Sequence, residues 1–218
     1  MIVDPLRLAI ALVPVAAYVL VIGLLNLRRH PFLTSGGCDL TALGIALSGL
    51  VFVGPMELLR PESATRSFGN YVWLFLLLFY WLWLLLAVLL SRPRLVVYNI
   101  SAEELHAVLA DAASRIDSAA RWAGNQLSLP TVGVQLHLDS FAVMRNVSLV
   151  ASGGRQNLGG WRRLAAELGP PLRSMRVKSN PRALGFLTVA LAMLTLCVTH
   201  LLLHQEAVMQ AMNEVFAY

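Results

Sequence analysis

The sequence predicts a multipass α-helical membrane protein with four transmembrane helices. A small cytoplasmic α+β domain, of order β-α-β-β-β-α, is predicted between helices 3 and 4. Two observations lead to this fold class. Of 218 residues, 57% are hydrophobic and only 13% are charged, whereas soluble domains carry about 25% charged residues. The apolar residues also form four runs of about 20, and a helix of that length crosses a hydrocarbon core about 30 Å thick.

The four apolar runs give the predicted spans, which are residues 8–27, 40–59, 71–90 and 184–203. The third, YVWLFLLLFYWLWLLLAVLL, contains no Gly, Pro or charged residue, and it opens with Tyr71 and Trp73. Aromatic residues at a span end are typical of the membrane interface. The first run ends in NLRRH without a small-x-small cleavage site. It therefore predicts a retained membrane anchor and not a cleaved signal peptide.

The second span carries small residues at helical spacing. Gly44 and Ser48 lie four positions apart, and Gly49 follows directly. Small residues at such spacing let helix backbones approach closely in lipid. We predict these three residues as helix-packing positions.

Orientation follows from the basic residues near the span ends. One side holds Arg28, Arg29, Arg92, Arg94, Arg173, Arg176, Lys178 and Arg182, and the other holds Arg7, Arg60 and Arg66. The positive-inside rule places the richer side in the cytoplasm. Residues 91–183 are therefore predicted to be cytoplasmic, with both termini outside. Sixteen arginines against one lysine indicate a GC-rich bacterial genome, and hence a bacterial cytoplasmic membrane.

The predicted organisation has three parts. Residues 1–90 form a three-helix transmembrane region, residues 91–183 form the α+β domain, and residues 184–218 supply the fourth helix and a short extracytoplasmic amphipathic tail. Twelve of the seventeen basic residues lie in the domain. Because the positive-inside bias accounts for this charge, nucleic acid is not an expected partner.

Within the domain, LVVYNI at residues 95–100 predicts a strand, because it is β-branched and aromatic. Ser101 and Glu104 have the spacing of a capping box and predict the start of a helix. An apolar stripe predicts that this helix continues through Ala119, and Gly124 is expected to cap its end.

Further strands are predicted at QLSLP, at residues 132–139 and at residues 146–151. In the last two, apolar and polar residues alternate, which indicates one buried face and one wet face. The sheet is expected to be mostly antiparallel, with two helices on one face. The second helix follows the glycine-rich SGGRQNLGG, and Pro170 and Pro171 are expected to kink or break it.

Few residues suggest chemistry. His200 and His204 share a helix face near the predicted level of Glu57, but two histidines make only half a zinc site. These three are weak metal candidates, and the competing interpretation is that polar residues gather at the water interface. The sequence has no nucleophile motif, no paired catalytic carboxylates and no cofactor fingerprint. It predicts no catalytic residue, no cofactor and no enzyme.

Basic residues at both ends of the domain are predicted to contact the membrane surface, where each charge contributes about 1 kcal/mol. They are Arg92, Arg94, Arg173, Arg176, Lys178 and Arg182. The alternative is that they only set topology during insertion.

The resulting hypothesis is a non-enzymatic integral membrane protein whose cytoplasmic domain binds another protein or supports a membrane assembly. The alternative is a small oligomeric transporter or channel subunit. An enzyme acting on a hydrophobic substrate is disfavoured by the missing motifs. The expected partners are the lipid bilayer, a protein bound through the domain and further copies of the chain.

Overall fold

The computed structural model describes residues 5–56, 71–141 and 144–216, with side chains up to residue 210. The chain divides into two compact units. The first, called the helical unit, comprises Met1–Val21, Thr41–Val88 and Phe186–Tyr218. The second, called the α+β unit, comprises Ile22–Leu40 and Leu89–Gly185.

Four helices are long and apolar enough to cross a membrane, as the sequence predicts. They are α1 (Pro5–Leu27), α2 (Gly36–Val51), α3 (Tyr71–Leu90) and α6 (Ala183–Leu203). A π-helical turn, Phe52–Met56, extends α2, so the apolar stretch runs Gly36–Pro55 and begins four residues before the predicted start. A shorter helix, α7 (Gln205–Phe216), follows α6.

The small antiparallel sheet is confirmed and has six strands among the described residues. Every pairing is antiparallel, and the strand order is β1-β2-β6-β5-β4-β3. The strands are β1 (Phe32–Ser35), β2 (Arg94–Tyr98), β3 (Arg121–Ala123), β4 (Gln126–Leu129), β5 (Val134–Phe141) and β6 (Asn146–Ala151).

Two helices cover one face of this sheet, α4 (Ala102–Ile116) and α5 (Leu158–Ser174). The predicted capping box begins α4, because the Ser101 side chain accepts from the Glu104 N–H and the Glu104 carboxylate accepts from the Ser101 N–H. Leucines from both helices meet alternate strand residues in one core. Fully buried members are Leu105, Leu109, Leu164, Leu168, Leu136 and Leu149.

The predicted end of the first domain helix is wrong. Helix α4 ends at Ile116, and Asp117 is its C-cap with extended backbone. Ala119 therefore lies outside the helix. Gly124 has φ +59° in the two-residue turn between β3 and β4. A left-handed glycine serves a helix cap and a hairpin turn equally well, which is why the sequence pattern misleads here.

Two strands were not expected. Strand β1 comes from the link between the first two apolar helices, and it pairs with β2 from Phe32↔Tyr98 to Ser35↔Leu95. Strand β3 lies where the sequence predicts the end of a helix. The order within 91–183 is thus β-α-β-β-β-β-α, with one further strand supplied by residues before the domain.

The two prolines that were expected to kink or break the second domain helix do not break it. Helix α5 passes through Pro170 and Pro171 and ends at Ser174. Each proline removes one N–H donor, and the carbonyls left without it belong to Ala166 and Glu167. Both residues are exposed, so water can satisfy these carbonyls in the final turns of the helix.

Candidate functional site: the polar junction

Three distant chain segments meet within the α+β unit and form what we call the polar junction. The segments are residues 26–30, which begin in the last turn of α1, Asn99 after β2, and the irregular residues 175–180 before α6. The contacts of the junction link residues as far as 154 positions apart in the sequence.

Two buried asparagines link the first and third segments. Asn26 is fully buried, and Asn180 is 3% exposed. The Asn180 N–H donates to the Asn26 main-chain oxygen at 3.1 Å, and Asn180 Nδ2 donates to Asn26 Oδ1 at 3.5 Å. Asn26 Nδ2 donates to the Ile22 carbonyl at 3.0 Å. Because a buried amide is costly without partners, these bonds fix the two segments against each other.

The same two segments run antiparallel past each other. The Val177 N–H donates to the Arg29 carbonyl at 2.9 Å. His30 Nδ1 lies 2.9 Å from the Met175 carbonyl oxygen. Val177 is 5% exposed, so it anchors the extended segment while its neighbours face outward.

Asn99 joins the sheet to the end of α1. Its φ is +57°, a left-handed conformation that asparagine adopts more readily than most residues. Asn99 Nδ2 donates to the Arg28 carbonyl at 2.5 Å. Its Oδ1 is buried and has no hydrogen-bond partner among the described residues.

A charged group connects the junction to the first turn of α4. Arg145 donates to the Lys178 carbonyl at 3.0 Å and to Glu104 Oε2 at 3.2 Å. Burial works to raise the pKa of Glu104, but hydrogen bonds from Ser101 and the Arg145 charge outweigh it and lower the pKa below its usual value. Glu104 is thus held as a carboxylate that neutralises Arg145.

The start of α2 is tied to the sheet separately. Asp39, in the first turn of α2, accepts from Arg94 Nη2 at 2.8 Å and from the Tyr98 hydroxyl. A Cβ on Gly36 would lie 2.0 Å from the Arg94 side chain, so this glycine leaves room for the pair. Arg94, predicted to contact the membrane surface, is therefore ion-paired with a carboxylate.

The other predicted membrane-contact residues are exposed. Arg92, Arg173, Arg176 and Lys178 all have exposed side chains. Arg182 is exposed too, and its N–H donates to Asn180 Oδ1 at 3.1 Å. Arg28 and Arg29, which the sequence analysis used only for orientation, lie beside Arg176 and Lys178 in the junction.

The two metal-candidate histidines lie together, with no third ligand among the described residues. The His200 and His204 ring centroids are 4.5 Å apart, and His204 Nδ1 lies 3.1 Å from the His200 carbonyl oxygen. Glu57 lies outside the described residues. Across residues 5–56, 71–141 and 144–216, no three His, Cys, Asp or Glu side chains are grouped to hold a metal.

The predicted packing residues lie on α2 in the helical unit. A Cβ on Gly49 would be 1.9 Å from the Ile10 carbonyl oxygen, and one on Gly44 would be 2.5 Å from the Leu84 side chain. Ser48 Oγ donates to the Ile45 carbonyl within its own helix. The glycines therefore mark the places where α2 approaches α1 and α3.

One open cleft of about 330 Å³ lies beside the start of α4. The His106 ring packs against Trp122 near this cleft, with centroids 4.2 Å apart. The lining residues are Ala102, Glu103, His106, Asn125, Leu138 and Ser140.

The missed residues are asparagines. Asn26, Asn99 and Asn180 occur in NLRRH, VYNI and VKSNPR, and two of these strings also hold the span-end basic residues. For Asn26 and Asn180, the available signal was an uncharged amide within a basic sequence at the end of a predicted span. The junction offers amides, carbonyls and guanidinium groups, which can hold segments together and present positive charge.

Comparison with protein-family models, curated proteins and solved structures finds no match to this chain.

Proposed function

We propose that this chain is a non-enzymatic, multipass protein of the bacterial cytoplasmic membrane. Its α+β unit lies on the cytoplasmic side and binds a partner protein or supports a membrane assembly. The observation that carries the proposal is the polar junction, because it includes the ends of the apolar helices in the same compact unit as the sheet.

A domain that only needs to stay near the membrane can be tethered by a flexible polar linker. Here the segments that connect the apolar helices to the sheet are held by hydrogen bonds instead. The end of α1 bonds to Asn99 and Asn180, and the start of α2 bonds to Arg94 and Tyr98. Ordering these segments costs conformational entropy. That cost is expected where the domain must present a surface in a defined position at the membrane.

The cytoplasmic placement follows from charge. Arg28, Arg29, Arg176 and Lys178 lie next to apolar helix ends and are exposed. Such residues are enriched on the cytoplasmic side. Both termini are then outside.

The part of the sheet face opposite α4 and α5 that belongs to β4 and β5 is the surface that the unit offers a partner. On β4 and β5 this face carries Gln126, Gln135 and Asp139, which are exposed, and His137, which is half-buried. An antiparallel sheet can leave one face in water, and this face is then available for a polar contact.

A transporter or channel subunit has less support. In the described parts of the four apolar helices, the residues of the Asp, Glu, Lys, Arg and His types are Arg7, Asp39 and His200, and each lies within about one turn of a helix end. A pathway for ions or polar solutes normally needs such groups deeper in the membrane.

Site-specific photo-crosslinking in cells tests the proposed surface. A photoreactive residue at Gln135 should give a discrete protein adduct, and one at Arg163, which is exposed on α5, should give none. Asp139→Arg should abolish the Gln135 adduct. Equal adducts from both faces, or none from Gln126, Gln135 and Asp139, would contradict the proposal.

A further inference from the structure

The polar junction gathers basic residues from two distant parts of the chain. The antiparallel bonds Val177 to Arg29 and Asn180 to Asn26 place two basic pairs side by side. We call the resulting set the basic clasp, and its members are Arg28, Arg29, Arg176 and Lys178. Neither pair alone makes this patch, because it exists only when residues 26–30 and 175–180 are joined.

The clasp faces outward, and no carboxylate in the described part of the chain neutralises it. All four side chains are exposed, and no carboxylate among the described residues is ion-paired with them. Arg176 and Lys178 flank Val177 in the sequence, and both are exposed while Val177 is buried. The carboxylate of Glu104, linked to this segment through Arg145, is already paired.

The clasp lies at the level where lipid headgroups are expected. Arg28 follows the last residue of α1, and Lys178 precedes the start of α6 by five residues. A helix of 23 residues is about 35 Å long at 1.5 Å per residue, which crosses the hydrocarbon core and ends among the headgroups. Like charges on adjoining segments repel one another, and an anion bound between them would offset that repulsion.

We propose that the basic clasp binds the phosphate of an anionic phospholipid headgroup. Arginine donates two parallel hydrogen bonds to phosphate oxygens, and basic pockets at the cytoplasmic ends of transmembrane helices suit this ligand. A soluble phosphate could meet the same donors, but the position beside two apolar helix ends favours a lipid. The inference rests on the proposed membrane insertion and is independent of the sheet-face partner.

The test uses the full chain purified in mild detergent. Native mass spectrometry would count bound lipid during titration with phosphatidylglycerol and, separately, phosphatidylcholine. We expect wild type to retain phosphatidylglycerol preferentially. Replacing all four clasp residues with Gln should weaken this binding at least tenfold, since each basic charge at the membrane surface contributes about fivefold.

A matched control removes four exposed arginines elsewhere in the α+β unit, through Arg121→Gln, Arg155→Gln, Arg162→Gln and Arg163→Gln. It has the same net charge as the clasp variant and should bind phosphatidylglycerol like wild type. If the fourfold clasp variant does not fold, the double variants Arg28→Gln/Arg29→Gln and Arg176→Gln/Lys178→Gln each should weaken binding severalfold.

Equal phosphatidylglycerol binding by wild type, clasp variants and control would overturn the inference. So would equal retention of phosphatidylcholine, or displacement of the lipid by an equal concentration of glycerol 3-phosphate, which would indicate a soluble phosphate ligand. Extraction of the wild-type chain from membranes distinguishes a failure of the lipid-binding inference from a failure of the proposed membrane insertion. If only detergent releases the chain, membrane insertion stands whatever the lipid result. Release by alkaline carbonate would reject insertion itself.

Discussion

The two units use leucine in opposite ways. In the apolar helix α3, Leu78 is 57% exposed and Leu82 is 64% exposed, and only Val72 of that helix is buried. In the α+β unit, Leu105 and Leu109 are fully buried. Large apolar side chains thus face outward in one unit and inward in the other. The difference fits an apolar solvent for the helical unit and water for the α+β unit.

The contact residues differ accordingly. In the helical unit, Gly49 and Gly44 lie where α2 approaches α1 and α3, which is the packing expected of helices in lipid, where leucine gains nothing by leaving the surface. In the α+β unit the contacts are made by leucines and Trp161, since removing their surface from water drives folding.

The largest difference in stability is expected when the same Leu→Ala substitution is made separately in each unit. Leu109→Ala is expected to cost about 2–5 kcal/mol, because it leaves a cavity in a closed core. Leu82→Ala, at a position that faces outward, should cost less than about 0.5 kcal/mol. Pulse proteolysis of the full chain in urea would measure both. Similar losses for the two variants would contradict the contrast between the units.

Replacing glycines of α2 and its π-helical extension with alanine should lower the stability by graded amounts. Gly49→Ala meets the Ile10 main-chain oxygen, which cannot move aside, and should cost about 1–3 kcal/mol. Gly44→Ala meets only the flexible Leu84 side chain and should cost less. Gly54→Ala meets nothing within 4 Å and is the control. Thermal stability in detergent, followed by size exclusion, would rank them, and a loss at Gly54 equal to that at Gly49 would reject the packing role.

A pH-dependent contribution is expected from Asp117. This buried carboxylate accepts from the Ala119 N–H, the Thr131 N–H and the Thr131 hydroxyl, each at 2.8 Å. Burial works to raise the pKa of Asp117, but these hydrogen bonds prevail and lower it. Its stabilisation is therefore complete above the unfolded pKa of about 4, and it is lost as pH falls through the lower folded pKa.

Asp117→Asn should clearly lower the urea concentration at the midpoint of unfolding at pH 7. The difference between the midpoints of the variant and wild type should narrow toward pH 3. Asp111→Asn, at an exposed position paired with Arg115, should change the midpoint little at either pH. A gap that is the same at both pH values would show that the Asp117 charge does not contribute.

Sequence patterns predicted the features that depend on local residues. The four apolar helices follow from composition alone, and the Ser101 and Glu104 capping box follows from spacing. The alternation at Val134, Leu136 and Leu138 gave the buried face of β5. Each of these signals is contained in one short segment.

The missed features depend on distant partners. Strand β1 has four residues between Pro31 and Gly36, and it is a strand because β2 pairs with it. The end of α4 beside Asp117 depends on Thr131, which is 14 positions further along the chain and donates to the Asp117 carboxylate. The meeting of Arg28 and Arg29 with Arg176 and Lys178 needs the antiparallel contact of two segments, which no local pattern encodes.

The smallest expected effect concerns β1. Residues 93–180 alone should give a mixed helix and strand circular dichroism spectrum with a cooperative melt. Joining residues 31–36 to their N-terminus through a short Gly-Ser turn should raise the melting temperature modestly, because β1 covers the open edge of β2. A scrambled copy of residues 31–36 is the control. Equal melting temperatures would mean that β1 does not stabilise the sheet, and a random-coil spectrum would mean that the segment folds only with the rest of the chain.

Paired topology reporters test the central claim, that the chain crosses the membrane four times with the α+β unit in the cytoplasm. One reporter would be fused after Tyr218, and another would be inserted after Gly154, an exposed residue whose Cβ position is open. We predict that the Tyr218 reporter is active only on the periplasmic side and the Gly154 reporter only in the cytoplasm. Both reporters on the same side would remove the fourth membrane crossing and contradict the account.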